Sequence, residues 1–572
     1  MQPLALNPEQ RRAALARMRT QEFDLAVIGG GVTGSGVALD AATRGLSVAL
    51  VEARDYAAGT SSRSSKLFHG GLRYLEQLSF GLVREALRER GLMLTTLCPH
   101  LARPIRFLYP LQHRGWERLY TGAGIALYDV MGGARVLPRH RHLTRRGALR
   151  EAPALRPDAL IGAIQYSDVQ VDDARHTMML ARTAASWGAA LATSARMTGF
   201  LREGVRVTGV EVRDLEVGGE PFPLRARQVV NATGVWTDEV QTGAGRGRIH
   251  VQASKGVHLV VPRDRIASDT GLILRTESSV LFVIPWPGPT NPGHWIIGTT
   301  DTPWELGKDH PAASRADIDY LLDHVNALLS TPLTHDDVEG VYAGLRPLLT
   351  GESEETSRLS REHAVSSPTP GLVSVAGGKY TTYRVMAADA VDAAVRGLDR
   401  RVPASCTADV PLVGASGFVA LHNRRADLAA GSGLSAGWIE HLLGRYGTAI
   451  EELLAMVAQD PELGEPLPGA EDHLRVEILY AATHEGALHL DDVLTRRTRI
   501  SIETFDRGTL AAAHVAALVG PVLGWDTATR EREVAHYLAR VAAERQSQAQ
   551  HDDATADAAR LGAPDVRGAV AT

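Results

Sequence analysis

The chain has only two cysteines in 572 residues, Cys98 and Cys406, far apart and in no metal-ligand spacing. That argues against a disulfide framework or a zinc site, leaves no metal site to expect, and fits a reducing compartment. Lysine is nearly as scarce, with Lys66, Lys255, Lys308 and Lys379 the whole complement. Three of them stand among small residues, in Ser64-Ser65-Lys66, Ser254-Lys255-Gly256 and Gly377-Gly378-Lys379. A compact, movable ammonium does not do the work of a guanidinium, so these three are expected to have functional reasons. Long hydrophobic runs are missing too. The nearest, Leu510 to Trp525, is broken by His514, Gly520 and Pro521 and reads as a packed helix ending near the proline. Residues 1–20 carry Arg11, Arg12, Arg17 and Arg19 without an apolar core, so no export signal is expected. A net charge of -5 gives nucleic acid no electrostatic reason to be the main partner. Hydrophobic residues at 44% and charged ones at 22% describe an ordinary globular protein. The length is too great for one core and implies roughly three domains.

What is present begins with a β-α-β unit. An apolar strand from Asp24 runs into Gly29-Gly30-Gly31-Val32-Thr33-Gly34, a G-x-G-x-x-G turn at Gly29, Gly31 and Gly34. A helix follows, and a second strand ends in Glu52. Gly29 permits the tight turn, Gly31 admits a pyrophosphate to the backbone, and Gly34 lets helix and strand close. The helix N-terminus favours phosphate, and Glu52 suits ribose hydroxyls while repelling a 2′-phosphate. NAD and FAD share this unit, so the choice between them comes from further along the chain. Residues 59–74 are rich in small hydroxyl side chains and end in paired glycines, with Leu67, Phe68 and Leu72 to anchor them. Expected cofactor contacts there are Thr60, Ser61, Ser62, Ser64, Ser65, Lys66, His69, Gly70 and Gly71. A second strand–glycine junction supplies Ala232, Thr233 and Gly234, and a third supplies Gly378, Lys379, Thr381 and Thr382. Three such turns spread over about 350 residues imply one extended cofactor, which FAD fits best.

With these motifs in place, the chain resembles the FAD-dependent glycerol-3-phosphate dehydrogenases, within the D-amino-acid-oxidase-like flavoproteins. The resemblance runs from about Asp24 to about Arg545. Its most specific stretches are TSSRSSKLFHGGLRYLE at 60–76, YSDVQVDDAR at 166–175, IIGTTD at 296–301, AGLRPLL at 343–349 and GGKYTTYR at 377–384. It implies an α/β fold: a Rossmann-like FAD-binding domain with an inserted mixed β-sheet substrate domain, plus a C-terminal all-α domain. The expected division is an N-terminal extension at 1–22 and a body at 23–400. Within that body, cofactor segments at 23–110, 150–250 and 365–400 enclose substrate segments at about 110–150 and 250–365. A helical domain at 401–545 and a disordered tail at 546–572 complete the expectation, the tail being polar and Ala-rich.

The activity implied is oxidation of sn-glycerol 3-phosphate to dihydroxyacetone phosphate, with hydride passing from C2 to flavin N5. That chemistry needs a phosphate clamp and a base. Arg73 and Arg346 are the candidates for the clamp, each in a short glycine-containing motif that the resemblance places at the substrate. His69 is the candidate base, or else a structural histidine bonded to backbone. Lys379 is expected to assist the hydroxyl or flavin N5, Tyr74 to shape the pocket, and Asp301 to orient a cation or cap a turn. The partners implied are glycerol 3-phosphate, a quinone as electron acceptor and membrane lipid, at the cytoplasmic face of the inner membrane. A homodimer is compatible with the sequence. The basic N-terminus and Arg496-Arg497-Thr498-Arg499 are the candidate lipid contacts, with solvated charge the competing reading. Three rivals stay open: an oxidase using oxygen, a flavin enzyme for an amino or hydroxy acid, and a flavin sensor without turnover.

Overall fold

The computed structural model describes residues 4–71, 79–113, 115–132, 137–245, 247, 249–276, 280–289, 292–350, 363–563 and 565–568. Helix α1 (Pro8–Thr20) precedes β1 (Glu22–Ile28), which α2 (Val32–Thr43) connects to β2 (Val48–Val51). From Phe23 onward both strands are buried on both faces, which is why they read as unbroken apolar runs. They pair in parallel, Val27 opposite Leu50. The parallel core of this first sheet runs β18 (Leu372–Gly377), β10 (Phe222–Asn231), β1, β2 and β7 (Ala190–Ala192). An antiparallel β17 (His363–Thr369) closes one edge, and β8 (Ala195–Glu203) and β9 (Arg206–Asp214) extend antiparallel from β10.

A second sheet of ten strands lies against the first. Its order is β15 (Thr302–Pro303), β11 (Val251–Pro262), β14 (His294–Gly298), β13 (Val280–Trp286), β12 (Gly271–Arg275), β4 (Arg103–Leu111), β6 (Gly162–Gln170) and β3 (Leu67–Phe68). β16 (Gly340–Leu349) pairs with β11, and β5 (Arg141–Thr144) with β6. The domain boundaries drawn on the sequence therefore shift. Residues 67–68, 103–111 and 162–170, assigned above to cofactor segments, are strands of the second sheet. A strand such as β6, buried along its whole length, carries no alternation to say which sheet it joins.

Helices α3 (Phe80–Leu92) and α4 (Trp116–Gly132) lie beside the second sheet, and α5 (Asp173–Ser186) returns the chain to the first. The buried face of α6 (Arg315–Asn326) carries Ile318, Leu321 and Val325 into the second sheet's core. α7 (Tyr383–Val395) packs with α2 and α5 on one face of the first sheet. Its approach to α2 is close enough that a Cβ on Gly36 would lie 3.0 Å from the Tyr383 ring. α1 covers other core residues of that sheet with Ala14, Leu15 and Met18.

Beyond residue 405 the described chain is mainly helical, including α8 (Ala436–Tyr446), α9 (Ile450–Gln459), α10 (Arg475–Thr483) and α11 (Ala512–Leu523). The segment expected to be a packed helix is α11, with Val515, Ala516 and Val519 buried, Pro521 inside its last turn and Gly524 (φ +71) ending it. α12 (Thr527–Gln548) and α13 (Asp553–Arg560) follow. Among the described residues, the tail expected to be disordered instead carries α13 and a short helical turn at Val566–Gly568. Asp552 caps α13 by accepting from the Thr555 backbone N–H at 2.9 Å. Asp553 pairs with the buried Lys255, and Arg567 donates to both oxygens of Asp492 at 3.0 and 2.8 Å. Composition misled here because the polar residues are partners of buried charges, not solvated ones.

The same correction applies to the arginine run. Arg496 and Arg497 bind Asp55 at 2.5 and 2.7 Å, and Arg499 binds Asp172 at 2.6 Å and also Asp173. All three guanidiniums are buried, so this run does not face lipid. Arg11 of the N-terminal extension is likewise buried, on Asp214 at 2.6 Å.

His489 ties the helical region to the turn between β9 and β10, sitting 2.9 Å from both Glu216 and Glu533. Burial alone would lower its pKa and Arg567 pushes the same way, but the two carboxylates outweigh them and raise it to about 9. A raised pKa stabilises the fold below the ordinary value of 6.5, and that contribution is lost as pH rises through 9. The shift corresponds to on the order of 3 kcal/mol. His489→Gln is therefore expected to lower the thermal midpoint clearly at pH 6.5 and much less at pH 10. An equal deficit at both pH values would show that the charge contributes nothing.

Candidate functional site

A cavity of about 700 Å³ runs between the two sheets. One part of its wall is the glycine turn. Gly29 has φ +108, and a Cβ there would lie 2.7 Å from the Ala232 carbonyl oxygen. At Gly34 a Cβ would lie 1.9 Å from the Gly29 carbonyl oxygen, so the helix start can close on the strand only with glycine. Gly31, the N-cap of α2, brings no side chain to the helix terminus, and Thr33 beside it lines the cavity. This leaves an electropositive N-terminus open to an anion. Glu52 also lines the cavity, its carboxylate held by the backbone N–H groups of Gly30 (2.6 Å) and Arg54 (2.8 Å). A cradle of backbone donors with an acid at the end of β2 fits an adenosine diphosphate.

The hydroxyl-rich segment divides between wall and scaffold. Thr60, Ser61, Ser64, Ser65, His69 and Gly71 line the cavity. Ser61 Oγ also accepts from the Val32 N–H at 2.9 Å, and Thr60 donates to the Leu345 carbonyl at 2.5 Å. Ser62, Lys66 and Gly70 stand behind the wall. Lys66 is fully buried on Asp173 at 2.8 Å, and the Ser62 carbonyl accepts from Lys66 and Arg499. The Gly70 N–H donates to the Tyr128 hydroxyl at 2.7 Å. These three, expected at the cofactor, hold its loop in place from outside.

The other junctions reach the same cavity. Ala232, Thr233 and Gly234 line it where β10 ends, and Gly378 and Lys379 where β18 ends. Gly377 and Gly378 take φ +77 and +75, a reversal that presents Lys379 to the cavity just before α7 begins. Thr381 does not line the wall. Its hydroxyl accepts from the His69 N–H (3.1 Å) and donates to the His69 carbonyl (3.2 Å), fixing that segment. The Thr382 hydroxyl donates to the Lys379 carbonyl at 3.3 Å. Of the lysines singled out for their contexts, only Lys379 faces the cavity. Lys66 and Lys255 are buried in ion pairs.

Arg346, on β16, is held by Thr299 Oγ1 (3.0 Å), the Thr300 carbonyl (3.2 Å) and Asp301 (3.4 Å). Asp301 does not line the cavity; its carboxylate lies 3.4 Å from Arg346 and accepts from the Ser254 hydroxyl. Room for this guanidinium depends on Gly256, where a Cβ would lie 2.5 Å from Arg346 Nη2. Arg73 and Tyr74 lie outside the described residues.

Among the lining residues that the sequence reading did not single out, His258 stands out. His258, on β11, stacks on Tyr342 with ring centroids 4.7 Å apart, and its Nε2 lies 2.9 Å from Ser65 Oγ. Burial, reinforced by Arg346 and Lys66, holds its pKa well below the usual imidazole value, so the ring is neutral. The available signal was a histidine inside the apolar run from Val257 to Val261. Asp168 also lines the cavity, accepting from Arg90 (2.7 Å) and Tyr128 (2.9 Å). Asp172 and Asp173, from the same quoted stretch, belong instead to the buried arginine network.

Comparison with known proteins agrees with this geometry. The FAD dependent oxidoreductase family matches residues 24–384, and the C-terminal domain of alpha-glycerophosphate oxidase matches residues 405–530. Glycerol-3-phosphate dehydrogenase 2 of Mycobacterium tuberculosis (strain ATCC 25618 / H37Rv) is 61% identical over 564 residues, covering 98% of this chain and 95% of that protein. The mitochondrial glycerol-3-phosphate dehydrogenase of Homo sapiens is 36% identical over 557 residues, covering 93% and 75%. Among solved structures, glycerol-3-phosphate dehydrogenase from Bacillus halodurans complexed with FAD superposes with a TM-score of 0.78 at 28% identity, covering 94% of this chain and 98% of that one.

The glycine turn makes a direct prediction. Gly34→Val, whose side chain must push α2 off the Gly29 carbonyl, is expected to purify folded but without a bound dinucleotide, measured as loss of visible absorbance. A variant that retains the full cofactor complement would show that this turn is not the cradle.

Proposed function

The chain belongs to the FAD dependent oxidoreductase family as a glycerol-3-phosphate dehydrogenase, with FAD as its cofactor, and on that premise we propose that it oxidises sn-glycerol 3-phosphate to dihydroxyacetone phosphate and delivers the electrons to a quinone. The α2 N-terminus would hold the pyrophosphate and Glu52 the adenosine ribose. The Gly377–Lys379 reversal, with the start of α7, would face the flavin end. When bound, FAD would supply the acceptor for the hydride leaving C2, and the electron pair that this hydride carries is the one passed on to the quinone.

The observation that carries the proposal is Arg346, a braced guanidinium in the cavity wall with Lys379 on the same cavity. A phosphate dianion needs a bidentate cation of this kind, and a fixed one loses little entropy on binding. Arg73, with Tyr74 beside it, is the second proposed clamp.

The C2 hydroxyl proton must leave as the C2 hydride does, so that the C–O single bond becomes a carbonyl. Hydride loss makes that hydroxyl strongly acidic, and a weak but reliably unprotonated base suffices. We assign the proton to His258, whose neutral ring is fixed by Tyr342 and Ser65. His69, the base expected from sequence, also lines the cavity and is the competing acceptor. Lys379 would lower the pKa of the bound hydroxyl. No helix among the described residues is long and apolar enough to cross a membrane. The proposed site of action is peripheral, at the cytoplasmic face of the inner membrane.

Steady-state assays with a water-soluble quinone test this reading. Glycerol 3-phosphate should be oxidised and glycerol should not, and Arg346→Ala should lower kcat/KM by about 10²- to 10³-fold, the cost of truncating a charged hydrogen-bonded partner. Equal rates with glycerol, or an unaffected Arg346→Ala variant, would contradict phosphate recognition. Oxygen uptake matching substrate consumption, with no quinone reduced, would make the protein an oxidase.

A further inference from the structure

A second, smaller cavity of about 70 Å³ adjoins the cofactor cavity at Arg63, which lines both. Five arginines line the smaller space, Arg63, Arg496, Arg499, Arg540 and Arg560, against one carboxylate among the described residues, Glu544. Three of the five are neutralised. Arg496 is held by Asp55, Asp491 and Asp492, Arg499 by Asp172 and Asp173, and Arg540 by Asp491 at 2.5 Å. The other two are not. Arg560 reaches Glu544 Oε1 only at 3.7 Å, and that oxygen already accepts from Arg540 at 2.9 Å. Arg63 forms no ion pair among the described residues. Its guanidinium donates one long hydrogen bond, to the Ala343 carbonyl at 3.4 Å.

The surroundings add to this positive excess. Burial, with Arg54, Arg540 and Arg496 pushing the same way, lowers the Arg63 pKa to about 9, so the group stays charged at neutral pH. His310, also in the wall, is lowered to about 4 by burial together with Arg560, Arg54 and Arg63, against the pull of Asp565. Its ring is therefore neutral and its Nδ1 can accept from Arg560 at 3.3 Å. Arg507 donates to Gln548, which lines the cavity, and is itself buried with Nε and Nη1 meeting no acceptor. Enclosed charge without counter-charge is costly. Two guanidinium forks on one small space offer the paired donors that a phosphate-like anion accepts, and Ser62 and Ser501 line the same space. The volume is far below the roughly 300–1,000 Å³ of a pocket for a drug-sized ligand, so the occupant is compact.

We propose that this cavity binds a tetrahedral oxyanion, free phosphate or the phosphoryl end of a small ester, between Arg63 and Arg560. The position is distinct from the substrate clamp, since Arg346 lines the cofactor cavity and not this one. Arg560 ends α13 in the tail, whereas Arg63 follows the Thr60–Ser62 turn of the cofactor wall. Its carbonyl packs on β16, where a Cβ at Gly344 would lie 2.7 Å from it. An anion shared by the two guanidiniums therefore fastens the tail to the segment that walls the cofactor.

Thermal denaturation of the holoenzyme tests the proposal, in an Arg346→Ala background that removes the proposed substrate clamp and with phosphate replacing chloride at constant ionic strength. Phosphate is expected to raise the midpoint by a few degrees as it saturates the site. Arg63→Gln and Arg560→Gln, each added to that background, are expected to abolish the rise. Without phosphate, Arg63→Gln should be at least as stable as its parent, because it removes a charge that has no partner; an arginine with a purely structural role would leave a deficit. Three results would overturn the proposal: no rise in the parent, a rise that survives either substitution, or an Arg63→Gln protein less stable than its parent without phosphate. Methyl phosphate, which has no alcohol to oxidise, separates the sources. A rise with inorganic phosphate alone assigns the free ion, and a rise with the ester that Arg63→Gln abolishes assigns a phosphoryl end.

Discussion

Everything in this molecule hangs on a set of carboxylates buried behind the cofactor loop. Asp55 follows β2 and receives Arg496 and Arg497 from the helical region, while Asp172 and Asp173, at the start of α5, receive Arg499. Lys66 joins Asp173 from the hydroxyl-rich segment. Removing one partner from a buried pair costs about 3–5 kcal/mol, because the other charge is then left without water or counter-charge. The pairs thus contribute less net attraction than intolerance of any other arrangement. They fix the C-terminal helices, the 60–69 segment and α5 relative to one another, and the cavity wall from Thr60 to His69 inherits that rigidity.

Rigidity of this kind suits the proposed chemistry, which needs placement more than reactive groups. Arg346 is braced by Thr299, Thr300 and Asp301, and the space it occupies exists because β11 carries glycine at 256. His258 is locked on Tyr342, and His69 is clamped at both backbone atoms by Thr381. Two helix N-termini and two glycine reversals contribute fixed backbone dipoles to the same space. Within this frame the reacting atoms have little freedom, which is where effective molarity comes from.

The parts of this design that were legible in the sequence are those with local signatures. The β-α-β unit declared itself through Gly29, Gly31, Gly34 and Glu52, and the later junctions through Ala232–Gly234 and Gly377–Lys379, because each function sits in consecutive residues. Long-range pairing left no such mark. Lys66 looked like a ligand contact because its neighbours Ser64 and Ser65 line the cavity, yet its partner, Asp173, is 107 residues away. Arg496, Arg497 and Arg499 looked like a surface patch for the same reason. The tail looked disordered because Asp553 and Arg567 have partners that only the fold supplies. His258 was hidden in an apolar strand.

On the proposed function, this cavity recognises a phosphorylated secondary alcohol and takes its electrons into a bound flavin. Anaerobic titration of the holoenzyme, followed by its visible spectrum, tests that most directly. The oxidised flavin band should bleach with about one equivalent of glycerol 3-phosphate and persist with glycerol or lactate. A fully loaded enzyme whose spectrum is unchanged by glycerol 3-phosphate would leave the fold intact and contradict the function assigned to it.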